Sequence, residues 1–235
     1  MSEQISSTLH ILDGGFRPRP EQLAEYGKQH EDFLPLAVAQ PGFRETYGGP
    51  IPNSPWWFFT AKFDSLEDME RWQMHRAHTK VQDLARDVWW TGYYIRKGRV
   101  LAPQEAVSGK VLCETAILRD TLLALEDLGR MESTLALLPE FSVVPYETLS
   151  GEPIPTPHLL TQSLGTIPQA APIHYALLTY WHKTTNCQQW QESVAYQQLA
   201  NFGVVKSARF VIIPERSSRM GLRSDRMQRE WLAGE

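Results

Sequence analysis

The chain has 235 residues, a formal net charge of -4 and an apolar fraction of 42%, enough to bury the core of one large domain or two smaller ones and too apolar for a disordered segment. The charge balance leaves no basic footprint, which excludes nucleic acid and anionic membranes as general partners; there is no run of eighteen apolar residues to span a bilayer and no basic leader before an apolar stretch, so a soluble, cytoplasmic protein is expected. Cys113 and Cys187 are too few for a disulfide framework or a cysteine-rich metal site.

In chain order, "TLHILDGGF" predicts a strand, and "RPRPEQLAEYGKQHEDFLPLAVAQ" a helix that starts after Pro20 with Leu23, Tyr26, Phe33 or Leu34, and Ala37 on one face. "PGF" stops it. "FRETYGG" and the aromatic "PWWFFTAKF" are strands flanking a Pro-rich turn. Ser65 with Asp68 forms a capping-box pattern that opens one helix, "LEDMERWQMHRAHTKVQDLARDV", and "WTGYYIRKGRVL" is a fourth strand. The second half repeats the order: "KVLCETAILR", a helix carrying Leu125, Leu128, Met131, Leu135 and Leu138, "FSVVPYETL", "IHYALLTYW", a helix with Trp190, and "KSARFVIIPE".

The repetition is also visible residue by residue. "GPIPNSP" at 49–55 has a counterpart in "GEPIPTP" at 151–157, "QPGF" at 40–43 in "LPEF" at 138–141, and Trp72 in Trp190. Three anchors in one order argue for two copies of one unit. The copies are expected at 1–104 and 105–215, with an insertion near 158–172 in the second and a mixed-charge tail over 216–235. Strand, helix, strand, strand, helix, strand is the ferredoxin-like (βαββαβ) order. One such sheet carries both helices on one face and leaves the other bare, so two tandem units of this α+β class are expected to pack their antiparallel sheets face to face as a dimeric α+β barrel.

"PGF", the aromatic strand running into "KFDSLEDMERW", and a helix with histidines further on resemble the antibiotic-biosynthesis-monooxygenase family of dimeric α+β barrels. The resemblance covers roughly residues 7–101, and 109–214 more loosely, and would make this chain a fused pseudo-dimer that could associate further with its own copies. It implies a cofactor-independent oxygenase using dioxygen on a planar aromatic substrate of anthrone or quinol type, or a haem-binding or haem-degrading protein. Haem degraders of the family use an Asn on the first strand with a Trp and a His from the second helix. Here Trp72 and His78 match in type, but the His comes about one turn early and the first strand offers Asp13 and no Asn.

The residues permit several chemistries. On that helix His75 and His78, three apart, share a face, a spacing open to a metal ion, but no third ligand motif lies nearby, so no metal is expected. Both could be ordinary surface or core histidines, or His78 could face a cavity and take a proton from a phenol or hydroquinone. Trp72 would then stand about 240° away from His78 around the helix. His75 and His78 are the catalytic candidates. Strand alternation puts Trp56, Phe58 and Thr60 on one face and Trp57, Phe59 and Ala61 on the other. Trp72, Trp57, Phe59, Tyr94, Arg76, Arg96, Tyr180, Trp190 and Tyr196 are candidate substrate contacts, Arg76, Arg96 and Tyr94 as anion partners. In the second copy Ser193 and Tyr196 stand where the first has His75 and His78. A non-oxidative isomerase, cyclase or dehydratase, or a non-catalytic binding protein, fits the same residues. No GxGxxG, GxxxxGK or GxSxG pattern supports a nucleotide site or a hydrolase.

Overall fold

A computed structural model describes residues 9–51, 54–138, 143–144, 146–147, 153–154, 158–159 and 173–213. The first half forms β1 (His10–Pro18), α1 (Leu23–Val38), β2 (Phe43–Pro50), β3 (Trp57–Phe63), α2 (Leu66–Gln73), α3 (Arg76–Leu84) and β4 (Trp90–Val100). Its strands pair antiparallel in the order β2-β3-β1-β4, the ferredoxin-like arrangement.

The second half comprises β5 (Ser108–Arg119), α4 (Leu125–Leu135), the short strands β6 (Val143–Val144), β7 (Tyr146–Glu147), β8 (Pro153–Ile154) and β9 (His158–Leu159), then β10 (Ile173–Lys183), α5 (Thr184–Glu192), α6 (Val194–Gln198) and β11 (Val204–Ile212). The order β6-β10-β5-β11 repeats that of the first half, and β11 joins β4 through Phe210–Ile212 against Gly98–Val100.

Strand alternation assigns each side chain to a layer. Ile11, Trp56, Phe58, Tyr94 and Val100 from the first sheet form one buried cluster with Leu112, Ala176, Leu178, Tyr180 and Phe210 from the second. The bare faces therefore close on each other, and the opposite faces carry the helices. The two sheets share polar contacts as well. Lys62 Nζ lies 2.6 Å from Glu114 and 2.5 Å from Glu45, and the Tyr180 hydroxyl donates to Asp13 at 2.8 Å. Buried charges persist in such a layer only when paired.

"LDGGF" crosses the centre of this arrangement as ordinary strand. An added Cβ at Gly14 would collide with the Phe59 ring, and one at Gly15 with the Tyr94 ring. The two glycines thus let an aromatic ring lie over each face of β1.

Several elements differ from the sequence expectation. The helix after Ser65 begins as expected, with Ser65 Oγ accepting from Asp68 N–H at 3.0 Å, but it is not continuous: α2 ends at Gln73 and His75 is extended (φ -60°, ψ 131°) as the cap of α3. A π-helical turn over Ala85–Trp89 follows α3. The expected strand "FSVVPYETL" is described only as β6 and β7. Leu125, at the start of α4, is 87% exposed, while Met131, Leu135 and Leu138 are buried. Most of the insertion, and the tail at 216–235, lie outside the described residues. Among the described residues no helix is long and apolar enough to cross a membrane.

Candidate functional site

The helix-bearing face of the first sheet does not pack solid. Between it and α1, α2 and α3 lies a cavity of about 200 Å³. Its floor is the helix-side register of the strands: Leu12 of β1, Thr46 of β2, Phe59 and Ala61 of β3, and Tyr93, Ile95 and Lys97 of β4. Tyr26, His30, Phe33 and Ala37 of α1 form one wall, and Trp72, Gln73, His78 and Gln82 of α2 and α3 the other. The π-helical turn contributes Ala85, Arg86 and Trp89, a local widening of the kind that often marks functional positions. Ile213, next after β11, reaches in from the second half, its N–H donating to Lys97 O at 2.8 Å.

The break at His75 sets the geometry of His78. In a continuous helix the Trp72 carbonyl would accept from Arg76 N–H. Here it accepts from His75 N–H at 3.0 Å and from His78 Nδ1 at 3.0 Å. The chain turns back, and the His78 ring stacks on Trp72 with centroids 4.4 Å apart and planes 25° apart. Phe33 lies 4.8 Å from Trp72 and 5.2 Å from His78. Because a carbonyl can only accept, the hydrogen of neutral His78 sits on Nδ1, and Nε2 keeps its lone pair. Nε2 accepts from the Gln82 amide N–H at 3.4 Å.

Burial lowers the His78 pKa to about 4; the Trp72 carbonyl opposes that shift and His75 adds to it. His78 is therefore a neutral imidazole across the physiological range, available as an acceptor but a weak base. Burial likewise lowers His30, with Glu31 opposing, and raises Tyr26 far above an ordinary phenol. The Lys97 ammonium is 3.4 Å from Glu70; burial lowers its pKa and Glu70 offsets part of that.

The candidates from sequence fall into separate places. Trp72, Phe59 and His78 meet at the cavity. Trp57 points to the same side and packs on Phe16 and Tyr26, at 6.0 and 6.5 Å, just outside the lining. His75 turns towards Trp72 at 5.6 Å and does not line the cavity, so the shared His75/His78 face does not form. Arg76 is exposed on the surface. Tyr94, Arg96 and Tyr180 lie in the layer between the sheets, Arg96 over the Tyr180 ring at 5.6 Å. Trp190 and Tyr196 meet edge to face at 5.8 Å in the core of the second half. Among the described residues no group of three or more His, Cys, Asp or Glu could hold a metal ion.

Sequence reasoning missed Lys97, Arg86, Gln82 and Ile213. The signal for the first was available: Lys97 has the same strand parity as Tyr93 and Ile95, so it shares their face.

The second half repeats the helix break. Ser193 is extended (φ -72°, ψ 155°) and caps α6, its N–H donating to Trp190 O at 3.0 Å as His75 N–H does to Trp72 O. There the Ser193 hydroxyl, not an imidazole, donates to the Trp190 carbonyl, at 2.7 Å. Trp181, Trp190, Met131, Leu135 and Leu138 pack in one closed cluster.

No family model matches the chain. The Bacillus subtilis (strain 168) protein YqjZ, described only as uncharacterized, is 32% identical over 81 residues, 32% of this chain and 65% of that relative, so the match spans less than two thirds of the relative's length. Among solved structures, aldoxime dehydratase in complex with butyraldoxime is similar at 11% identity and a TM-score of 0.47, over 87% of this chain and 79% of that one. A Fusobacterium nucleatum protein proposed as a monooxygenase is similar at 9% identity and a TM-score of 0.40, over 89% and 94%. An anthrone oxidase-like protein gives 12% identity and a TM-score of 0.32, over 89% and 93%.

Proposed function

We propose that this chain is a tandem protein of the antibiotic-biosynthesis-monooxygenase type, its two units spanning about 1–104 and 105–215, and that it oxygenates a planar aromatic molecule of anthrone or quinol type without a bound cofactor. The observation that carries this is the placement of His78: a neutral imidazole, its Nδ1–H held by the Trp72 carbonyl and its Nε2 lone pair retained, in the wall of an aromatic cavity. Such an Nε2 can accept the hydroxyl proton of a bound quinol as the electron-rich anion forms and passes an electron to dioxygen. The aromatic floor and walls keep water from the anion and hold the ring system flat. The base belongs to the first unit alone; Tyr196 takes its place in the second.

Oxygen uptake by the purified chain with a panel of anthrones and quinols tests this directly. Uptake above the spontaneous rate, lost in His78→Ala, is expected. Product formed equally well under nitrogen would instead mean an isomerase, cyclase or dehydratase working from the same imidazole.

Haem is the second reading, favoured by one observation: His78, its Nδ1 tied to the Trp72 carbonyl, would hold a haem iron through Nε2. A Soret band at one haem per chain after adding haemin, lost in His78→Ala, would put haem first.

A further inference from the structure

The buried face of α2 consists of Met69, Trp72 and Gln73, positions that share one side of a helix and usually form an apolar stripe. Gln73 breaks the stripe. It is 4% exposed and lines the cavity, and its Oε1 has no hydrogen-bond partner among the described residues. Buried polar atoms are nearly always paired, and one left unpaired carries its full desolvation cost.

The second half shows the same glutamine satisfied from within. Gln191 follows Trp190 as Gln73 follows Trp72, and its Nε2 donates to Ser207 Oγ at 2.9 Å and to Cys113 Sγ at 3.7 Å. Counting back from the two tryptophans, Ala61 of β3 matches Thr179 of β10. Leu12 pairs with Ala61 and Lys97 as Cys113 pairs with Thr179 and Arg209, and Gly14 faces Ile95 as Thr115 faces Ser207. Leu12 and Ile95 therefore stand where Cys113 and Ser207 do, and both line the cavity. The first half keeps the carboxamide but has hydrocarbon in place of its partners.

We infer that Gln73 is a specificity-determining binding residue of the first-unit cavity, its carboxamide oxygen accepting a hydrogen bond from an un-ionised hydroxyl of a planar aromatic ligand. The inference rests on the cavity being a ligand site, as proposed above, and not on any oxygenase step. An amide oxygen only accepts, so the ligand group must donate. The terminal amide torsion of a glutamine is broad, so a ligand hydroxyl can draw the oxygen towards the cavity at little cost. A ligand without a donor would cover the carboxamide and leave it unpaired, which is the basis of the selection.

The test uses the full chain and equilibrium dialysis with naphthalene, 2-naphthol and 2-methoxynaphthalene, the last keeping the oxygen but lacking the donor. Wild type should bind 2-naphthol roughly 5- to 100-fold more tightly than 2-methoxynaphthalene, the range for satisfying a buried unpaired acceptor. Gln73→Met should lower that ratio by about 5-fold or more and bind naphthalene at least as tightly as wild type does. A urea melt reads the same carboxamide without ligand. Gln73→Met should unfold at the same urea concentration as wild type or a higher one, whereas Gln191→Met, which breaks the bond to Ser207, should unfold at a lower one. A lower midpoint for Gln73→Met would show a carboxamide already bonded within the protein and overturn the assignment. Equal binding of naphthol and methoxynaphthalene by wild type, or a ratio that Gln73→Met leaves unchanged, would overturn it too, while the cavity would stand as a ligand site. If no probe binds wild type, the cavity reading falls and the assignment with it.

Discussion

His78 lies flat on Trp72, with ring centroids 4.4 Å apart, and donates from Nδ1 to the carbonyl of that same residue. Six positions apart in an unbroken helix the two would point in different directions. The extended backbone at His75 brings them together, and the contact fixes both the ring's orientation and its tautomer.

Removing that imidazole is expected to abolish turnover with little effect on folding. His78→Ala should lose roughly 10²- to 10⁴-fold in oxygen uptake, the usual contribution of a positioned base, while the far-ultraviolet dichroism stays that of the wild type. Unchanged uptake would remove His78 from the mechanism.

Stability should fall on acidification through the His78 equilibrium. The unfolded imidazole takes up a proton near pH 6.5, the folded one only near 4. Between those values the unfolded state binds more protons, so stability is full above 6.5, declines as the pH falls, and has lost at most about 3 kcal/mol at pH 4. Denaturant melts of wild type and His78→Gln between pH 7 and 4 should show a shallower decline in the variant; parallel curves would mean that His78 is not the group responsible.

Lys62 joins the sheets through Glu114, and both side chains are almost fully buried. Lys62→Met leaves the Glu114 carboxylate in an apolar layer without its cation and should cost about 3–5 kcal/mol. Replacing both, as Lys62→Met with Glu114→Leu, should recover much of that loss in a urea melt. A single variant within about 1 kcal/mol of wild type would show the pair to be solvated.

Gly15 gives its space to the Tyr94 ring. Gly15→Ala forces that ring aside in a packed layer, with an expected loss of about 1–3 kcal/mol. Adding Tyr94→Leu should lessen the penalty, and equal penalties in both backgrounds would place the strain elsewhere.

The amino-acid sequence by itself determined the repeated βαββαβ order and the two faces of each strand. Both follow from local periodicity: Trp56 and Phe58 alternate with Trp57 and Phe59 whatever lies beyond them, and a sheet with both helices on one side must cover its other side. It also singled out His78 and Trp72, because imidazole and indole chemistry is a property of the residue. Only the tertiary structure decided where these groups meet. The break at His75 has no proline or glycine to announce it; it follows from the Trp72 carbonyl taking partners other than Arg76 N–H. Tyr94, Arg96 and Tyr180 went to the layer between the sheets because their strand parity places them opposite the helix face. Ile213 entered the cavity because β11 comes to lie beside β4, a pairing about 110 residues apart in the chain that no local pattern encodes.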